Sequence, residues 1–299
     1  MDVVVDIVIQ GLVIGSIYAL LAVGLSFIFG IMHIVSFAQG EFYTLGAYAY
    51  WIFLTKSLFH IGFGIIGSAI LSFIFVAIIA VLFEKLILSR IPQTPVTIPM
   101  LATIGFWIFS QNAVLMIAGA VYRSVPSPFA FKPILHILFT TVSTDRLFAA
   151  CMAIGLLVAC HFLLHGTKMG KALRATVQDE EAALLMGLRI EKIRSWTWLV
   201  GCTLASIGGI IISPIFLIFP HMGDTVIFKA FVVVVLGGMG SFTGALFGGF
   251  IVGIAESLGA AYISGAYRDA ISFVIVIIIL LIKPTGLFSG SFGKVRYVG

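Results

Sequence analysis

The sequence predicts an all-α, polytopic membrane protein of eight or nine transmembrane helices, with broken or re-entrant segments and one large cytoplasmic loop at 166–195. Three observations predict it. Hydrophobic residues make up 61% of the 299, charged residues only 10%, and mean hydropathy is +1.20; a soluble domain carries about 25% charged residues. Long stretches lack any charge, whereas ten of the 29 charged residues crowd into Lys168 to Arg194. Such a chain cannot cover a globule with polar surface, so lipid is its solvent, and 1–299 reads as one domain. The net charge of +5 then reports where Lys and Arg sit relative to the bilayer rather than a nucleic-acid partner.

Charge-free runs read directly as spans, because about 20 apolar residues cross a hydrocarbon core of ~30 Å. The first, 7–40, holds one helix and the start of another, divided near Gly30 to Ser36. A shorter run covers 42–55, and 57–83 is one clear helix. The run at 91–122 leads into an irregular external segment, Tyr122 to Arg146, marked by Pro126, Pro128 and Pro133. Runs at 147–167 and 195–223 flank the charged loop, and 230–255 follows. The last, 270–282, is too short alone, so its helix begins before Arg268 and Asp269, with those side chains at the interface.

Orientation follows from the basic residues. With the loop inside and nine crossings, the segment 84–96 and the C-terminal tail are inside too. Together these hold eleven of the 17 Lys and Arg, among them Lys85, Arg90, Lys283, Lys294 and Arg296. The N-terminus, with Asp2 and Asp6 and no base nearby, lies outside. It lacks a basic start and a small-residue cleavage site, so the first span is expected to be retained. Cys151, Cys160 and Cys202 all sit in apolar runs and act as small hydrophobes, with no disulfide expected.

Two glycine-marked regions interrupt the helices: Gly30 to Gly46, containing His33, Ser36, Gln39, Gly40 and Glu41, and Leu236 to Gly253, containing Gly237, Gly238 and Gly240. Broken segments in the two halves fit a transporter whose pathway lies between them. These residues are the candidate translocation pathway. Gly244, Gly248, Gly249 and Gly253 equally suit close helix packing. Glu41, an acid at membrane depth, either caps backbone amides freed by the break or faces the pathway. Glu256 and Lys229 are expected near the interfaces. Cys160, His161 and His165 have zinc-like spacing but no further ligand, so no metal is expected. Ser36 near His33 is a poor nucleophile–base pair without a third group.

The charged loop holds a helix over 171–186, in which alanines and leucines alternate with Lys171, Arg174, Asp179, Glu180 and Glu181. Gly187 stops it, and Arg189 to Arg194 lead into the next span. Charge alone is satisfied by a solvated connector; a two-signed helix also suits a polar cleft on a partner. Glu181-Ala182-Ala183-Leu-Leu-Met-Gly187 resembles the coupling loop of ABC importer permeases, without the isoleucine-leucine-proline continuation.

The wider chain resembles one branch, the branched-chain amino acid permeases of the LivH type. Gly11-Leu-Val-Ile-Gly15-Ser-Ile-Tyr18, Ser36-Phe-Ala-Gln-Gly-Glu41-Phe-Tyr-Thr-Leu-Gly46, Gly170-Lys-Ala-Leu-Arg174 and Phe228 through Gly240-Ser with Gly244-Ala-Leu-Phe carry the likeness, from about residue 8 to 286. Gln39 stands where many relatives have histidine. The resemblance implies a permease subunit moving branched-chain or other hydrophobic amino acids across the inner membrane. The resemblance favours work beside a second permease of a different sequence, two ABC ATPases using ATP and Mg, and a periplasmic binding protein. No phosphate loop is present; Gly290-Ser-Phe-Gly-Lys294 has neither the spacing nor the hydroxyl. The chain is thus expected to be no enzyme and to bind no cofactor. Carriage of urea or short amides on the same architecture, or a secondary transporter of small solutes, are the alternatives.

Overall fold

The computed structural model describes residues 2–55, 64–91, 96–127, 134–137 and 140–288. The C-terminal basic residues Lys294 and Arg296, the stretch around Gly290 and the prolines Pro128 and Pro133 lie outside them. Eleven α-helices occur among the described residues. In order they are α1 (Asp2–Met32), α2 (Ala38–Thr55), α3 (Gly64–Leu86), α4 (Thr97–Ala118), α5 (Thr144–Gly166), α6 (Lys168–Gln178), α7 (Glu180–Leu185), α8 (Ile190–Ile212), α9 (Met222–Gly237), α10 (Phe242–Tyr262) and α11 (Arg268–Ile282). Six helices are long and apolar enough to cross a membrane: α1, α3, α4, α5, α8 and α10. The three remaining apolar helices are shorter. At 1.5 Å per residue, the 16 residues of α9 and 15 of α11 fall short of a ~30 Å core.

The external segment differs from expectation. Rather than being irregular throughout, it contains a hairpin of β1 (Ile134–Ile137) and β2 (Thr140–Ser143), paired antiparallel from Ile134–Ser143 to Ile137–Thr140. Backbone that is not helical still has N–H and C=O groups to satisfy, and a hairpin pairs them locally. Upstream of it, Arg123 pairs by its backbone with Ile218, and its guanidinium lies 4.3 Å from the Trp51 ring centroid.

The centre of the bundle is α1, packed most extensively on α10 and also on α8, α5 and α9. The contact is made by small residues, as expected where lipid removes the hydrophobic drive and close packing must supply association. A Cβ at Gly11 would stand 2.7 Å from Ile254 Cα, and one at Gly15 2.9 Å from the Gly249 carbonyl oxygen. Gly244 meets Gly237, and Gly248 meets Val233 and Leu236, so the glycines of α10 do serve packing. On the other side, Phe42, Phe83, Phe106 and Trp198 join α2, α3, α4 and α8, with ring centroids 4.6 to 6.0 Å apart. Trp198 Nε1 donates to the Ala80 carbonyl at 3.1 Å, which satisfies the one polar atom the cluster buries.

Candidate functional site

The two predicted interruptions are real and they meet. The helix α1 ends at Met32, His33 takes φ 54°, and α2 resumes at Ala38. In the other half α9 ends at Gly237, Gly238 (φ 102°) and Gly240 (φ 80°) take left-handed conformations open to glycine, and α10 starts at Phe242. A Cβ at Gly30 would lie 3.3 Å from Gly240 Cα. Gly237 and Gly238 pack inside the chain, on Gly244 and Gly286 respectively. Gly40 crosses α9, where a Cβ would stand 2.6 Å from the Gly223 carbonyl oxygen.

Around the first break, polar atoms are buried without partners. Gln39 donates its Nε2 to the Gly201 carbonyl at 3.1 Å, which ties α2 to α8, but its Oε1 is unpaired. Glu41 is fully buried and neither carboxylate oxygen has a partner, so it caps no backbone amide. That removes the structural reading of Glu41 offered by the sequence. His33 is exposed, with Nδ1 3.3 Å from the Phe29 carbonyl oxygen, whereas Ser36 Oγ is buried and unpartnered. The two side chains therefore form no nucleophile–base pair.

Beside this region stands a group that sequence reading missed. Asp224, in the first turn of α9, accepts from Trp107 Nε1 at 2.8 Å and from Gln111 Nε2 at 2.9 Å, both on α4. Trp107 in turn stacks on Phe37 at 6.0 Å, which links the break before α2 to α4 and α9. Nothing in the spacing could have joined residues more than a hundred positions apart; only an amide inside the run 91–122 and an acid closing the run 195–223 hinted at them.

Glu256 and Lys229, expected near the interfaces, are buried within the protein, at 0% and 6% exposure. Lys229 Nζ lies 2.7 Å from Glu256 and 2.8 Å from Asp269; Arg268 Nε lies 3.0 Å from Glu256, and Tyr18 and Ser272 donate to the same carboxylate. Two acids balance two bases, and every Glu256 lone pair direction has a donor, the condition under which a buried charge is tolerated. The cluster binds α1, α9, α10 and α11 and leaves no free ligand group. His161 and His165 stack with centroids 4.3 Å apart, and among the described residues no three His, Cys, Asp or Glu side chains converge on a metal position.

The charged loop also departs from the expected single helix over 171–186. It is two helices, α6 and α7, split at Asp179, whose extended backbone ends the first and whose Oδ1 accepts from Ala182 N at 2.9 Å to cap the second. Aspartate competes for backbone amides and so breaks a helix where it caps the next. Gly187, at φ 81°, ends α7 as predicted.

The two helices are held differently. Arg174 donates to the Leu164 carbonyl at 2.8 Å, Gly170 N donates to Thr167 Oγ1 at 3.0 Å, and Gly170 lies against the Leu163 and Leu164 carbonyls with no room for a side chain. Ala172, Leu173 and Val177 pack on the core. Among the described residues, α7 is held at its base, by buried Ala183 and by an Arg194–Glu180 ion pair at 2.7 Å. Its tip presents Leu184, Leu185 and Met186, the last two 89% and 84% exposed. Lys171, Asp179 and Glu181 are exposed around it.

Comparison with known proteins places this architecture. The family model described as "Branched-chain amino acid transport system / permease component" matches residues 7–280. The chain is 32% identical over 290 residues to the high-affinity branched-chain amino acid transport system permease protein LivH of Salmonella typhimurium, covering 93% of each. It is 30% identical over 292 residues to BraD of Pseudomonas aeruginosa, with 93% and 94% covered. A probable branched-chain amino acid transport permease protein LivH of Methanocaldococcus jannaschii is 30% identical, with 97% and 94% covered.

Proposed function

This chain belongs to the family of branched-chain amino acid transport system permease components, and on that premise we propose that it is the membrane subunit of an ATP-driven importer for branched-chain or other hydrophobic amino acids. Separate ATPase subunits, using ATP and Mg, supply the energy on the loop side. A second permease completes the pathway, and a periplasmic binding protein delivers substrate from outside. The single observation that carries the reading is the exposed apolar tip of α7. Leu184, Leu185 and Met186 form one contiguous exposed apolar patch rimmed by charged residues, the kind of patch that marks an interaction surface.

In the proposed cycle, closure of the ATPase pair moves α7. Because α6 is clasped to the end of α5 and packs against the core, the motion passes into α5 and α1. The contact between Gly30 and Gly240 lies within reach of that push, so the two breaks change their relation and the pathway changes sides. Glu41, Gln39 and the Asp224 group supply polar atoms along it; buried unpaired oxygens are otherwise costly. Selectivity rests mainly on the binding protein, because a transient pathway needs only weak affinity.

The test is the assembled complex in vesicles with labelled leucine, isoleucine and valine, beside urea. Gly187→Val forces a β-branched residue into a left-handed backbone, and it is expected to abolish ATP-coupled uptake while the chain still reaches the membrane. Unchanged uptake and coupled hydrolysis would end this role for the loop. Uptake that survives ATP depletion with ion gradients intact would instead favour a secondary transporter, and uptake of urea alone would reassign the cargo.

A further inference from the structure

We propose that a small cavity between the end of α5, α6 and the two chain breaks is a loop-side regulatory site for an aliphatic α-amino acid. The choice of cargo as the occupant rests on the function proposed above; the shape and chemistry of the cavity do not. Its volume is about 60 Å³. One water occupies roughly 10–15 Å³ on the same measure, so the space holds a group of about four to six heavy atoms. A branched aliphatic side chain has that size, so the recess takes the side chain alone, and the ammonium and carboxylate of the amino acid lie at its mouth beside half-buried Arg174 and exposed His165.

The walls are apolar: Phe27 and Ile31 from α1, Leu164 from α5, Leu173 and Val177 from α6, and Phe242 from α10. The polar atoms are few and of distinct kinds. Ser26 Oγ is buried and has no hydrogen-bond partner. Arg174 spends one N–H on the Leu164 carbonyl, which leaves other guanidinium donors for a carboxylate. His165 Nδ1 lies 3.0 Å from the His161 carbonyl oxygen, an arrangement that places the proton on Nδ1 and leaves Nε2 as an acceptor in the neutral ring. An acceptor of that kind suits an ammonium group and is of no use to a plain anion. A donor for carboxylate, an acceptor for ammonium, a free hydroxyl and an apolar recess together describe a zwitterion with an aliphatic side chain.

Location gives the site its consequence. Gly30 and Gly240, whose contact joins the two breaks, both line the cavity, and α6 closes it from the loop side. An occupant bridges α6 to that contact and fixes the spacing that the transport cycle has to change. Amino acid accumulating on the loop side therefore slows its own uptake.

The experiment has two arms. In the first, L-leucine, isocaproate (no ammonium) and isoamylamine (no carboxylate) are titrated calorimetrically into the purified permease–ATPase complex without its binding protein. Binding is expected for leucine alone, weakened at least about tenfold by Ser26→Val and, as a second variant filling the recess from the other side, by Val177→Trp. In the second, vesicles preloaded with unlabelled leucine on the loop side take up label more slowly than empty ones, and Ser26→Val removes the difference while uptake into empty vesicles is unchanged. Equal binding of all three probes, binding unaffected by both variants, or a co-purifying phospholipid displaced by them would overturn the proposal. A complex that transports leucine yet neither binds it in the first arm nor slows in the second overturns this site alone. A complex that binds leucine here but does not transport it overturns the proposed function instead.

Discussion

The helices α6 and α7 are adjacent and separated by one residue, yet the fold treats them as opposites. Three restraints bind α6 to the bundle: the Arg174–Leu164 hydrogen bond, the Thr167 cap on Gly170, and a glycine contact too tight for any side chain. By contrast α7 keeps one buried alanine and a half-exposed ion pair, and turns its leucines and methionine outward. Charge sign separates them, three bases on α6 against two acids on α7, but the density of charge that marks the loop in the sequence does not say which is held to the bundle. What distinguishes them is which apolar residues each buries. One helix is part of the machine's frame and the other is its free handle.

The sharpest way to break this contrast is at Gly170. Gly170→Val drives a branched side chain into the Leu163 and Leu164 carbonyls, and a loss of about 3 kcal/mol is expected, enough to lower the folded yield measured by fluorescence-detected gel filtration. Matched substitutions at the two helices come next. Leu173→Asp, on the packed face of α6, is expected to cost about 2 kcal/mol in thermal unfolding. Leu185→Asp, on the exposed tip of α7, is expected to leave stability within about 0.5 kcal/mol while ATPase co-purification falls sharply. Equal thermal losses at both positions would dissolve the distinction.

Two smaller effects sharpen it. Asp179→Ala removes the cap that starts α7, worth about 1 kcal/mol to that helix. Coupled ATP hydrolysis should drop while thermal stability of the whole chain barely moves, and Asp179→Asn should restore most of it. Glu180→Ala opens an ion pair whose side chains are 24% and 35% exposed, so no more than about 0.5 kcal/mol is expected, and less still in high salt.

Much of this was readable beforehand because lipid makes hydropathy a direct record of span. The breaks at His33 and at Gly238–Gly240 were legible for the same reason that Gly187 was: glycine and small polar residues mark where a helix cannot continue. The split at Asp179 was not, because Glu180 and Glu181 are good helix formers and the capping role of one aspartate is decided by the backbone it meets. The Glu256 cluster was not legible because partners at 18, 229, 268 and 272 come together only through packing of four helices. Glu41 was flagged correctly as unusual, but only the structure showed both its oxygens unpaired.

The most direct measurement is site-specific photocrosslinking in native membranes, with the probe at Leu185 in one strain and at Leu173 in another, followed by mass spectrometry of the adducts. The account predicts an ATPase of the importer crosslinked at Leu185 and only this chain's own helices at Leu173. No ATPase at Leu185, or the same ATPase captured equally at both positions, would contradict the division of the loop and with it the proposed route by which energy enters the permease.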